Sequence, residues 1–106
     1  MPLNNPSPAI EYTEAFSVIH NNAGVGAWED WDISALIPPG CRTVDILCSI
    51  GAGGPTVGVR TNGSALNRYV KTGDSIIFTV KPDLSRIIDI YSNLANTNFQ
   101  VVGYVT

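Results

Sequence analysis

Aromatic and acidic side chains are concentrated in one short stretch of the chain, WEDWD. Trp28 and Trp31 flank Glu29 and Asp30, and Asp32 follows. Aromatic faces stack on sugar rings and clustered carboxylates suit Ca²⁺, so the stretch has the residue types of a sugar-binding platform or a cation site. In the structural alternative, Trp31 fills the core while the carboxylates cap and solvate a loop. We favour this alternative, because the stretch lacks the Gly and the terminal bidentate Glu of a calcium loop.

A sugar-binding platform requires aromatic rings that share one exposed surface. The predicted ligand contacts are Trp28, Trp31 and Tyr69. The ligand would then be a surface glycan or another receptor, which makes a carbohydrate- or receptor-binding module the second function to consider.

The sequence has no combination of residues typical of an enzyme. His20 is the only histidine, and no nucleophile or metal-ligand partner lies near it in the sequence. The glycine-rich segment GAGGP is followed by neither Lys-Ser nor Lys-Thr, so it does not match a phosphate-binding loop. We therefore expect a protein without a catalytic residue, a metal or a cofactor.

The two cysteines are expected to be unpaired. Cys41 and Cys48 lie at the two ends of an apolar segment. In an extended strand they would be roughly 23 Å apart, well beyond the reach of a disulfide. They are therefore interpreted as small buried side chains in a protein made in a reducing compartment.

Arginines beside the predicted strands and turns can hold these elements in register. We expect a structural network in which Arg60, Arg68 and Arg86 pair with carboxylates such as Asp45, Asp74 or Asp89. A guanidinium fork suits this task because it binds a carboxylate through two parallel hydrogen bonds. The alternative is that each arginine only solvates a strand edge.

Short apolar or alternating segments, separated by turn signals, indicate about seven strands. The clearest strand segments are 10–20, 43–50, 57–60, 74–80, 86–92 and 99–106. Since no convincing amphipathic helix accompanies them, the pattern predicts an all-β fold, an antiparallel β-sandwich of the jelly-roll type. One helical turn is expected over 32–36.

The Asn62-Gly63 pair predicts that the chain reverses there. It follows the alternating residues Val57 and Val59, and Asn-Gly supplies the backbone geometry of tight hairpin turns. Gly63 is therefore expected to have a positive φ. Further on, the closing segment 99–106 carries apolar residues on both parities, so we expect another surface to cover it.

Length and composition point to one domain with an unusually neutral surface. The chain has 106 residues, of which only 14% are charged and 44% are hydrophobic. We predict a proline-rich arm or linker over 1–9, a sandwich domain over 10–106, and partner subunits that cover part of the surface. A net charge of −3 with scattered basic residues argues against a nucleic-acid partner. The sequence also shows no membrane span and no signal peptide.

Four segments carry a resemblance to a known class of protein. In order they are WEDWDISALIPPG, GVRTNGSALNR, RIIDIY and FQVVGY, and the similarity covers Trp28 to Val105. Together they resemble the small β-sandwich modules of bacteriophage virion proteins, such as fibre, decoration and adhesin components. The resemblance implies a non-enzymatic structural or attachment module, a homotrimer that contacts capsid or tail proteins. It also implies a location in the virion after assembly in the reducing cytoplasm of the host.

Overall fold

The computed structural model describes residues 18–22, 25–49, 54–66, 68–71, 73–94 and 97–106. The predicted arm at 1–9, most of the predicted strand at 10–20 and most of GAGGP lie outside the described residues. In the described part the fold is all-β. No helix there is long and apolar enough to cross a bilayer.

Eight strands form two four-stranded sheets. The strands are β1 (Ile19–Asn21), β2 (Glu29–Asp32), β3 (Thr43–Ser49), β4 (Thr56–Thr61), β5 (Val70–Lys71), β6 (Ile76–Val80), β7 (Ile87–Ser92) and β8 (Asn98–Val105). The first sheet has the order β1-β8-β3-β6, and the second has the order β2-β7-β4-β5.

The strand pairing is nested, and this nesting defines the topology. β4 pairs with β5, β3 with β6, β2 with β7 and β1 with β8, all antiparallel. The chain is thus one long hairpin folded over so that successive strand pairs alternate between the two sheets. Two further pairings join these strand pairs into sheets: β3 with β8 in the first sheet, and β4 with β7 in the second. This is the jelly-roll arrangement, and the fold class predicted from sequence is confirmed.

Alternating side chains from both sheets meet in one core. In β3 the inward positions are Val44, Ile46 and Cys48, all fully buried, and the residues between them are only half-buried. The second sheet supplies inward residues from β4 and β7, including Ile88 and Ile90. Among the described residues, the buried hydrophobic core consists of Trp31, Ile33, Ile37, Cys41, Val44, Ile46, Cys48, Val57, Val59, Val80, Ile88, Ile90, Phe99 and Val101. Burial of this one face of each strand stabilises the sandwich.

A bulge in β8 interrupts the alternation of inward and outward side chains along this strand. Ile46 faces Val101, but Asp45 faces Gly103, so one extra residue of β8 lies between these pairs. The insertion shifts the parity, and Tyr104 packs against the same core as Phe99 and Val101. Uninterrupted alternation from Phe99 would place Tyr104 on the opposite face.

Two strands occur where the sequence predicted irregular structure. The WEDWD stretch forms β2, because pairing with β7 supplies hydrogen bonds to a segment that has a single inward apolar residue, Trp31. The segment around Val70 forms β5, a two-residue edge strand. The helical turn after Asp32 is present, since the Ile37 N–H donates to the Ile33 carbonyl and Asp32 accepts from the Ser34 N–H.

The chain does reverse after β4, by a route that differs from a tight hairpin. The Ser64 N–H donates to the Thr61 carbonyl at 3.0 Å, and Gly63 at the third position of this turn has φ +79°. The strand partner of β4 begins only at Val70, so an eight-residue connection, 62–69, separates β4 from β5. The positive φ at Gly63 was predicted correctly.

Both cysteines are free thiols, as expected, and both are buried. Burial raises the pKa of the Cys48 thiol to about 12. Burial also raises the pKa of Cys41, against an opposing effect of the Arg86 charge. Both side chains therefore remain protonated near neutral pH.

The positive φ of Gly63 predicts a destabilising effect of any β-carbon at this position. Gly63→Val should lower the free energy of unfolding by about 1 kcal/mol or more, because a β-branched residue is strained in the left-handed region. Gly73→Val is a matched control: a β-carbon at either site meets no atom within 4 Å, but only Gly63 has a positive φ. Chemical denaturation of both variants measures the difference, and equal losses would contradict the assignment of strain to Gly63.

Candidate functional site

The outer face of the second sheet carries a cluster of aromatic rings, which we call the aromatic patch: Trp28, Tyr69 and Tyr91, with Arg60 against Trp28. The Trp28 and Tyr69 ring centroids are 5.5 Å apart, Trp28 and Tyr91 are 5.4 Å apart, and Tyr69 and Tyr91 are 4.7 Å apart. The Trp28 Nε1–H donates to the Tyr69 hydroxyl at 3.0 Å. Each ring therefore contacts the other two.

Strand register explains why these rings meet. Gly58 of β4 faces Tyr91 of β7. The registers of β2 with β7 and of β4 with β5, each continued by one residue, place Trp28 beside Tyr91 and Tyr69 beside Gly58. The four positions form one row across the sheet, in which three aromatic residues surround a glycine.

Gly58 makes the row possible because it leaves space for its neighbours. A β-carbon at this position would lie 2.5 Å from the Arg68 carbonyl oxygen and 3.0 Å from the Trp28 ring. The first of these is a backbone atom, which cannot rotate away. The glycine thus permits both the close approach of the β4–β5 connection and the contact between the Trp28 and Tyr69 rings.

The adjacent row of the sheet is charged. Arg60 faces Asp89, which in turn faces Asp30. The Arg60 Nε–H donates to Asp89 Oδ2 at 3.0 Å, and the same guanidinium lies 4.1 Å from the centroid of Trp28. Arg60 therefore joins the charged row to the aromatic row through a hydrogen bond and a cation–π contact.

Asp89 is an unusually buried carboxylate for an outer face. Its residue surface is only 3% exposed, and no donor in the described part of the chain reaches its Oδ1. Burial raises its pKa above the ordinary value of 3.8; the carboxyl of Asp30 raises the pKa further, and Arg60 opposes both.

The aromatic patch has the chemistry of a binding surface. It combines an exposed ring, Tyr69, with half-buried rings and with carboxylate and phenol groups at its edge. Such groups can stack on a sugar ring and hydrogen-bond its hydroxyls. No group of three or more His, Cys, Asp or Glu side chains suited to a metal occurs among the described residues.

Trp31 does not lie with the other two predicted ligand contacts. It points from β2 into the core, where it is 7% exposed and stacks on His20 with 5.0 Å between ring centroids. The Nε2 atom of the same His20 ring lies 2.7 Å from Glu29 Oε2. The structure thus brings Trp28 and Tyr69 together on the surface and gives Trp31 and His20 the packing role that the structural alternative anticipated for Trp31.

The three arginines singled out in the sequence have different surroundings. Arg60 pairs with Asp89, one of the partners expected from sequence. Arg86 uses Nη1 to donate to the main-chain carbonyls of Ser34 and Ile37, each at 3.0 Å. Arg68 has an exposed side chain beside the aromatic patch.

Sequence reasoning missed Tyr91 and the coupling of Asp89 to the aromatic rings. A signal for both was present in RIIDIYS, where Asp89 and Tyr91 share a parity opposite to that of Ile88 and Ile90. This parity predicts a shared outer face. It does not indicate which strands lie beside them.

Comparisons with protein-family models, with curated proteins and with solved structures find no match for this chain. Its function is therefore inferred from its own side chains and their geometry.

The raised pKa of Asp89 predicts a distinctive pH dependence of stability. Between about pH 3.8 and the raised pKa, the folded state binds more protons than the unfolded state, so the contribution of Asp89 to the unfolding free energy falls as pH rises. Asp89→Asn abolishes this titration. The variant should therefore gain stability relative to the native protein as pH rises through that window.

Denaturant unfolding of both proteins at a series of pH values measures the difference. The pKa values of Asp32 and Asp83 are lowered, mainly by hydrogen bonds from Ser34 and Asn62, respectively. Their contributions to stability therefore change with pH in the opposite direction. Because both proteins contain these two groups, their contributions cancel in the difference. Asp74→Asn makes the same charge change at an exposed position. If both variants gave the same pH profile, Asp89 would have no special role.

Proposed function

We propose that this chain is a non-enzymatic structural or attachment module of a bacteriophage virion, which self-associates as a homotrimer and docks on capsid or tail proteins. The segments that resemble virion modules support this proposal, and so does the jelly-roll fold, an architecture common in capsid and lectin domains. The observation that carries it is an exposed apolar row on the first sheet.

The apolar row runs across the full width of the outer face of the first sheet. Ile19 faces Gln100, Gln100 faces Leu47, and Leu47 faces Ile77. Ile19 is 54% exposed and Ile77 is 59% exposed, although both belong to regular strands. One polar but uncharged residue interrupts three apolar ones, so the row exposes hydrocarbon that a partner surface would remove from water.

A second copy of the same chain is the occupant that these features favour. The row itself carries no charge, so no ionised side chain of the row has to be desolvated when two copies meet. Its two outer positions belong to the edge strands β1 and β6. Edge strands with exposed apolar residues invite pairing with another chain, and a closed oligomer removes that hazard.

The aromatic patch supports a second candidate function, recognition of a surface glycan or another receptor. It lies on the outer face of the second sheet, whereas the apolar row lies on the outer face of the first. Assembly through the row would leave the patch free to contact a ligand. A decoration, fibre or adhesin component could use both faces in this way.

Replacement of an apolar-row residue by a charged one tests self-association. The native protein is expected to be a trimer by light scattering at micromolar concentration, with an interface that buries on the order of 800 Å² per subunit. Ile77→Lys should shift it towards monomer, because the ammonium group cannot be buried unpaired.

Leu84→Lys is the matched control, since Leu84 is fully exposed in a loop outside the row. It should leave the oligomer intact. A monomeric native protein would contradict self-association, and a trimer that survives Ile77→Lys would place the interface elsewhere.

Glycan binding is tested at the exposed ring of the aromatic patch. If the patch binds a sugar, a glycan array should give a ligand whose affinity falls about threefold to tenfold in Tyr69→Ala, as expected for loss of one aromatic contact. Leu66→Ala, an exposed apolar residue of the same connection, should bind like the native protein. An array without ligands, or equal binding by both variants, would exclude this function for the patch.

A further inference from the structure

A cavity of about 490 Å³ lies at one end of the sandwich, away from both the apolar row and the aromatic patch. It is open to solvent on one side and is lined by the turn before β3 and by the loop between β6 and β7. Its lining residues are Gly40, Cys41, Arg42, Lys81, Pro82, Asp83, Leu84 and Arg86.

Half of the basic residues of this acidic chain line the cavity. The sequence contains six Lys and Arg residues and has a net charge of −3, yet Arg42, Lys81 and Arg86 all line this one cavity. Asp83 is the only acidic residue of the lining. Its Oδ1 accepts from the Ser85 and Ile87 N–H groups and its Oδ2 accepts from Asn62, so protein donors already occupy both of its carboxylate oxygens.

The cationic side chains retain unused hydrogen-bond donors. Arg86 engages only Nη1, and Arg42 engages only Nε, which donates to the Thr106 carbonyl at 3.2 Å. Within the described part of the chain, the remaining guanidinium N–H groups and the Lys81 ammonium donate to no protein acceptor. Three cationic side chains with donors to spare therefore line the same cavity.

Arg86, one of the three cationic residues, has a strained backbone conformation. Its φ of +63° is the only positive φ of a non-glycine residue among those described. The Arg86 N–H donates to the Asp83 carbonyl at 2.9 Å, and its own carbonyl accepts from Ile33 at 3.0 Å. A left-handed arginine costs free energy that a glycine would avoid, and such residues cluster at binding sites. These backbone hydrogen bonds fix the main chain of Arg86, and the Nη1 hydrogen bonds to Ser34 and Ile37 fix its guanidinium group.

We infer that this cavity binds an oxyanion of the phosphate class through Arg42, Lys81 and Arg86. A tetrahedral dianion offers enough acceptor oxygens for two guanidinium groups and an ammonium at once, and its charge offsets the local excess of positive charge. The phosphate is either free or a group on a larger ligand. The site is independent of the assembly and glycan functions proposed above.

Calorimetric titration with inorganic phosphate, against chloride at equal ionic strength, tests this site on the whole protein. Native protein should give saturable binding of one phosphate per chain. Arg42→Met and Lys81→Met should each weaken it by about tenfold or more, as loss of charge-assisted hydrogen bonds would. Arg68→Met is the matched control, because it removes the same charge outside the cavity, and it should bind phosphate normally.

These experiments distinguish a specific phosphate site from nonspecific attraction between anions and basic side chains. Equal weakening by Arg68→Met, or binding that does not saturate, would overturn the inference, as would acetate binding as tightly as phosphate. Comparison of inorganic phosphate with a phosphomonoester distinguishes a free ion from a phosphate group on a larger ligand. Arg86 is left intact in these experiments, because its contacts with Ser34 and Ile37 hold the neighbouring turn. Thermal unfolding of each variant verifies that it is folded.

Discussion

Burial of one face of each long strand between the two sheets is the constraint on which the rest of the structure depends. The nested pairing places successive strand pairs in alternate sheets, so each sheet must be completed by strands far apart in the chain. β1 and β8, for example, pair across almost the whole described chain. Neither sheet can exclude water without the other, and the two therefore form one cooperative unit.

Because alternate residues of a strand point to opposite faces, the residues between the core positions form the outer face of each sheet. On the first sheet this parity gives Leu47 and Ile77, and on the second it gives Gly58, Arg60 and Tyr91. A one-residue shift of register would exchange these residues for core residues. The bulge in β8 is the place where the chain makes such a shift locally, and it brings Tyr104 to the core.

The sequence was sufficient to predict elements with a clear apolar parity. β3, β4, β7 and β8 were located to within about two residues, because their inward positions are uniformly apolar. β2 and β5 were missed, since three of the four residues in β2 are acidic and β5 has only two residues. Their pairing energy comes from neighbours that local sequence does not specify.

The candidate sites were harder to predict for the same reason. Residue type predicts Trp28 and Tyr69 as ligand contacts, but the contact between their rings depends on the adjacency of β2 with β7 and of β4 with β5. Trp31, three positions after Trp28, has the opposite parity and is buried. Likewise the basic cavity unites Arg42 with Lys81 and Arg86, which looked scattered along the chain.

The end of the sandwich can hold this concentration of positive charge because its loops are tied to each other. Asn62, in the turn after β4, donates to Asp83 at 2.8 Å and so links that turn to the loop between β6 and β7. Arg86 in turn links the latter loop to the turn at Ser34 and Ile37. Three connections that are remote in sequence are therefore fixed by side chains of one loop. The cavity wall that Asp83 and Arg86 form is therefore preorganised, so an anion bound there need not order this loop.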